Sequence, residues 1–95
     1  MEPGTAISDG ILWVGLADRQ GDGFGWAVDA AGVVYDGNPW YGMGRTDLDI
    51  GAVTIPDSDA PDADWRNWAR RLRRKIRREK QRVYNCPTAS ARPSR

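Results

Sequence analysis

The sequence predicts an α+β domain, in which a small antiparallel meander of three to four strands is followed by one long, amphipathic, Arg-rich C-terminal helix. Three short apolar segments separated by turn residues occupy residues 11–35, and a helical apolar period begins at Trp65. The charge divides at the same boundary. Residues 1–64 hold two basic and twelve acidic residues, a formal charge of −10, whereas residues 65–95 hold twelve basic and one acidic, a charge of +11.

The first three strands are predicted from apolar patterning. Ile11–Leu16 is apolar on both faces, which is typical of a central strand. Residues 18–23 form a predicted turn, and Phe24–Asp29 then alternates apolar with small or polar residues, as a strand with one covered face does. Residues 29–32 predict a tight hairpin loop with Gly32 in the left-handed region, which returns the chain as a third strand, Val33–Tyr35.

The next segment, residues 36–49, is interrupted by Gly and Pro and is predicted to be a loop that carries Trp40 and Tyr41. Two interpretations of these rings stay open. They fold back over the small core, or they stack on bases or anchor a protein interface. Ile50–Ile55 is predicted as a fourth short strand.

The helix is predicted from the period of its apolar residues. At 100° per residue, five of them form one stripe along the helix. These residues are Trp65, Trp68, Leu72, Ile76 and Val83. Asp62 or Asp64 is the expected N-cap, and Asn85 with Pro87 supplies the stop.

The domain organisation follows from these elements. Residues 1–9 are a lead-in, residues 10–84 form a single small domain, and residues 85–95 are expected to be a disordered tail. Within the domain, residues 10–55 form the sheet, residues 56–64 an acidic linker and residues 64–84 the basic helix.

The helix carries an unusual concentration of positive charge. Ten of the seventeen residues from Arg66 to Arg82 are basic, and like charges four residues apart on a helix each cost about 0.2–0.5 kcal/mol. A retained repulsion of this kind indicates an anionic partner, and guanidinium groups bind phosphate bidentately. The predicted phosphate-contacting residues are Arg66, Arg70, Arg71, Arg73, Arg74, Lys75, Arg77, Arg78, Lys80 and Arg82.

Glu79 is the one acid in this run, and it falls within the apolar stripe. We expect an intrahelical pair with Lys75 or Arg82. The alternative is that Glu79 bonds to Arg45 or to a backbone group on the sheet and so fixes the position of the helix.

The composition argues against catalysis. The chain has no His and one Cys, which excludes His-containing triads, His-containing zinc sites and thiolate clusters. The Asp57–Asp64 segment lacks the Gly and the closing Glu of a calcium loop. We therefore predict a protein that is not an enzyme, with no catalytic residues, no metal and no cofactor.

Two functions are consistent with this pattern. The first is a small nucleic-acid-binding protein, for DNA or RNA, that grips phosphates with the Arg-rich helix. The alternative is a protein-binding module of bacterial or phage origin, either an inhibitor of a nucleic-acid-processing machine or a virion or assembly component. In that case the helix meets an acidic protein surface, and the acidic sheet domain is a further interface that also permits a homo-oligomer.

The expected location is the cytoplasm of a bacterial or phage-infected host cell, without a membrane partner. No apolar run approaches the ~20 residues of a membrane span. Twelve Arg against two Lys is typical of a GC-rich genome.

Overall fold

The computed structural model describes residues 1–16 and 24–85, and it contains an antiparallel sheet followed by a C-terminal helix. This confirms the α+β prediction. The five strands of the described residues pair in chain order, and the helix continues into a short π-helical segment, Gln81–Asn85. The elements are β1 (Ala6–Ser8), β2 (Ile11–Leu16), β3 (Gly25–Asp29), β4 (Val33–Asn38), β5 (Gly42–Asp49) and α1 (Asp62–Lys80).

The prediction of three to four strands is wrong, because the described residues form five, and the sequence pattern does not indicate β1 or β5. Residues 6–8, which lie in the predicted lead-in, pair with the start of β2. Residues 36–49, predicted to be a loop, extend β4 and form β5, which at eight residues is the longest of the described strands. Gly and Pro in this segment lower its local preference for a strand. The strand forms because it pairs with β4, with Tyr35 opposite Arg45.

The fourth strand predicted at Ile50–Ile55 is absent, although this segment is described in full. The chain turns at Gly51, whose φ is +82° and whose N–H donates to Asp49 Oδ1. Ile50 and Val53 then donate their N–H groups to carbonyls of the β3–β4 loop, at 2.9 and 3.1 Å. These apolar residues pack against the core from outside the sheet.

The tight loop between β3 and β4 is confirmed. Gly32 has φ +95°, and its N–H donates to the Asp29 carbonyl at 3.0 Å. The Asp29 carboxylate accepts from the N–H groups of Ala31 and Val33, each at 3.0 Å, and from the Tyr35 hydroxyl at 3.1 Å. Burial taken alone raises the pKa of Asp29, but these hydrogen bonds outweigh it and hold the pKa below its ordinary value.

The core lies between one face of the sheet and the apolar stripe of α1. Burying each of its larger aliphatic side chains contributes about 1.5–3 kcal/mol. Its buried residues are Val14, Trp26, Val28, Val34, Leu48, Trp68, Ala69, Leu72 and Ile76. The stripe predicted from the sequence therefore faces the sheet, with Trp65 and Val83 partly buried at its ends.

The start of the helix differs from the prediction. The helix begins at Asp62, and Pro61 occupies the N-cap position with no side-chain cap. The Pro61 carbonyl accepts from the Asp64 N–H at 2.9 Å. Asp62 and Asp64 therefore do not cap the helix, but their carboxylates lie in the first turn, where they complement the helix dipole.

Trp65 connects this first turn to the N-terminal segment. Its ring lies edge-on to Trp68, with centroids 5.4 Å apart, and against Gly4, whose φ is +90°. A side chain at Gly4 would overlap the Trp65 ring. The predicted turn at residues 18–23 lies outside the described residues. Of the predicted tail, residues 85–95, Asn85 is the last residue of the π-helical segment, and residues 86–95 lie outside the described residues.

Candidate functional site

The basic residues of α1 lie on two flanks of a helix that crosses the sheet. The first flank faces the end of the sheet where β2 stops, because Arg73 contacts Val14 and Arg77 lies over Trp26. On the helical wheel this flank consists of Arg66, Arg70, Arg73, Arg77 and Lys80. The second flank, which includes Arg71, Lys75 and Arg78, lines pockets formed with residues 49–54 at the opposite end of the sheet.

Arg73 is part of the fold. Its Nη1 donates to the Val14 carbonyl at 3.0 Å, across 59 residues of sequence. Val14 lies at a register shift where no residue of β3 is opposite it. Burial, followed by the positive charges of Arg77 and Arg70, lowers the pKa of Arg73 below its ordinary value. Arg73 is one of the residues predicted to bind phosphate, and its Nη1 is engaged with the sheet, while the phosphate contact itself stays a prediction.

The Arg77 side chain is exposed to solvent and also contacts the core residue Trp26. Its guanidinium carbon lies 5.9 Å from the centroid of the Trp26 ring, which is within the range of a cation–π interaction. A contact of this kind contributes about 0.5–1 kcal/mol at an exposed site. Arg77 therefore combines a fixed position with an accessible positive charge.

Glu79 pairs with Arg82 within the helix. The Arg82 Nε and Nη2 atoms donate to the two carboxylate oxygens of Glu79, at 3.0 and 2.5 Å. The hydrogen bond from Arg82 lowers the pKa of Glu79 against the opposing effect of burial. The prediction of an intrahelical pair is confirmed, with Arg82 rather than Lys75 as the partner.

The other seven basic residues of α1 are exposed and form no salt bridge within residues 1–16 and 24–85. They are Arg66, Arg70, Arg71, Arg74, Lys75, Arg78 and Lys80. In this part of the chain no acidic residue of the sheet forms a salt bridge with them, although Asp49 lines a pocket with Lys75 and Arg78. The helix is held by its apolar stripe and by Arg73, so its charge remains directed toward solvent.

Trp40 and Tyr41 form the tip of the β4–β5 hairpin and do not cover the core. Their exposed fractions are 70% and 91%. Asn38, which is buried, fixes the turn: its Oδ1 accepts from the Trp40 N–H at 2.8 Å and its carbonyl from the Tyr41 N–H at 3.0 Å. The structure thus presents two large rings on an ordered turn at one end of the sheet.

No group of three His, Cys, Asp or Glu residues able to hold a metal occurs within the described ranges. Over the same ranges, no helix has the length and apolar character needed to cross a membrane. No protein-family model, curated protein or solved structure matches the chain.

Proposed function

We propose that this chain is a non-enzymatic nucleic-acid-binding protein, in which α1 acts as an amphipathic, Arg-rich helix that contacts the phosphate backbone. One observation carries the proposal: seven exposed basic side chains on one helix have no acidic partner in the described part of the chain. In this proposal the protein acts in the cytoplasm of a bacterial or phage-infected cell.

The spacing of the exposed residues suits a polyanion. Arg70, Arg74 and Arg78 follow one another at intervals of four residues, which corresponds to a rise of about 6 Å per step. Phosphate neutralises the repulsion among them, and release of counterions from the nucleic acid adds to the affinity. If four of the seven residues contact phosphates, affinity falls about 100-fold between about 50 and 200 mM salt.

The test compares two substitutions with the same change of charge. Arg74→Glu alters the middle of the row formed by Arg70, Arg74 and Arg78 on the helix, and Arg45→Glu alters an exposed arginine on β5. We expect R74E to weaken binding of mixed-sequence DNA and RNA several-fold and to reduce the salt slope by about 1. R45E should leave both quantities close to those of the unaltered protein.

Two results would overturn the proposal. One is an absence of binding to any nucleic acid at low salt. The other is an equal effect of R74E and R45E, which would indicate attraction to overall charge rather than to the helix. Circular dichroism of both variants establishes that the fold is retained.

A second candidate is the protein-binding module, as an inhibitor or an assembly component. The observation that favours it is the exposure of Trp40 and Tyr41, residue types that are enriched at protein interfaces. This function predicts a defined complex or oligomer in size-exclusion light scattering that survives nuclease treatment. A monomer that loses every host partner on nuclease treatment would contradict it.

A further inference from the structure

We infer that the preferred ligand is single-stranded nucleic acid, with its bases stacked on Trp40 and Tyr41 and its phosphates bound by the exposed residues of the first flank of α1, which are Arg66, Arg70, Arg77 and Lys80. This inference rests on the proposed function and extends it from polyanion binding to one class of ligand.

The course of α1 places this flank and the hairpin tip at the same end of the molecule. The helix starts against Gly4, beside β1, and reaches Asp49 and Ile50 of the β5 side near Glu79. It therefore crosses the strands, with one flank toward each end of the sheet. Arg77 contacts Trp26 near the end from which the β4–β5 hairpin projects.

The separation suits a short strand of nucleic acid. Trp26 is paired with Asp36, and the hairpin continues from there through Asn38 to its tip. At about 3.3 Å per residue, the four residues from Asp36 to Trp40 span at most about 13 Å. A single strand bound at Arg77 therefore reaches the rings within a few nucleotides, which is no more than the ~4–16 nucleotides that single-strand-binding domains cover.

The tip has the properties that base stacking requires. Both rings are exposed, and the hydrogen bonds that Asn38 accepts from the Trp40 and Tyr41 N–H groups hold the turn before any ligand arrives, so little entropy is lost on binding. In a duplex the bases already stack on one another and offer no free face to such rings. The aromatic tip therefore favours single strands, whereas the basic helix alone binds both forms.

The experiment measures binding of a 12-nucleotide oligo(dT), an oligo(U) of equal length and a 12-base-pair duplex. The variants are W40A/Y41A and, as the matched control, W40F/Y41F, which retains two rings of similar size. We expect W40A/Y41A to bind the single strands about tenfold or more weakly with an unchanged salt slope, and to bind the duplex within about twofold of the unaltered protein. W40F/Y41F should restore most of the single-strand affinity. Oligo(dT) should quench the tryptophan fluorescence of the unaltered protein more than that of W40F/Y41F, which lacks Trp40.

The outcomes separate this inference from the proposed function. If W40A/Y41A binds single strands normally while R74E is impaired, the stacking inference is overturned and the proposed function stands. An equal loss for duplex and single strands also overturns the inference. If the unaltered protein binds no nucleic acid at low salt, both fail. A protein complex that W40A/Y41A abolishes would then identify the tip as a protein interface.

Discussion

Arg73 donates a hydrogen bond from Nη1 to the carbonyl oxygen of Val14, at 3.0 Å. The bond joins the middle of α1 to β2 at its register shift, where β3 offers Val14 no opposite residue. A side chain on the neighbouring Gly15 would overlap the Arg73 guanidinium, so the position of that guanidinium depends on the glycine. Arg73, one of the ten basic residues, thus stabilises the fold through this hydrogen bond.

The first prediction separates Arg73 from Arg74. R73M leaves the Val14 carbonyl without its donor, so the free energy of unfolding should fall by about 1–3 kcal/mol in urea denaturation. R74M removes an exposed charge and should leave stability nearly unchanged while weakening nucleic-acid binding. Equal effects of the two variants on both stability and binding would refute the distinction.

The second prediction concerns the pH dependence that Asp29 confers. Its pKa is lowered in the folded state, so its contribution to stability is present above the unfolded-state value of about 3.9 and is lost as pH falls through the lower folded-state value. D29A should lower the free energy of unfolding by about 1–3 kcal/mol at pH 7, because the loop loses its acceptor.

Denaturation of D29A and of the unaltered protein between pH 2 and pH 7 measures this difference. The gap should narrow below about pH 4. D36A, which alters an exposed aspartate of the same hairpin, is the control and should show a much smaller loss. A gap that is independent of pH would exclude the carboxylate as its source.

The third prediction compares two strand glycines. A Cβ at Gly25 would overlap the Gly15 carbonyl oxygen and the Trp13 ring, whereas a Cβ at Gly44 would meet nothing within 4 Å. G25A should therefore lower the free energy of unfolding by about 2–3 kcal/mol. G44A should change it by less than about 1 kcal/mol. Similar melting temperatures for the two variants would show that β2 and β3 do not approach as closely as described.

The fourth prediction uses the acid within the basic run. E79Q removes the negative charge that pairs with Arg82, so the net charge of the helix rises by one. The variant should bind nucleic acid more tightly, with a steeper salt slope. E2Q makes the same chemical change at an exposed position outside the helix and should have a smaller effect. The measurement is a titration of both variants at several salt concentrations, and equal gains would contradict a role of the helix.

Elements with a strong local period were predictable from the sequence. The strand at residues 11–16 and the apolar stripe of α1 each repeat at the spacing of their own secondary structure, so neighbouring residues suffice to identify them. β5 is not predictable in this way, because Gly42 and Gly44 weaken the local preference of the segment for a strand, and the strand is stabilised by its pairing with β4. Ile50–Ile55 shows the converse, since an apolar segment packs on the core without joining the sheet.

The sequence by itself determined the division of charge and the face by which the helix packs, because both depend on residue type and local period. It did not determine which basic residues serve the fold: Arg73 was separated from Arg70 and Arg74 only when α1 met β2, through a contact spanning 59 residues. The tertiary structure also decided that Trp40 and Tyr41 are exposed at a hairpin tip, because that position depends on the pairing of β4 with β5. The local period depends only on neighbouring residues, whereas the role of Arg73 and the exposure of the two rings depend on which distant segments come into contact.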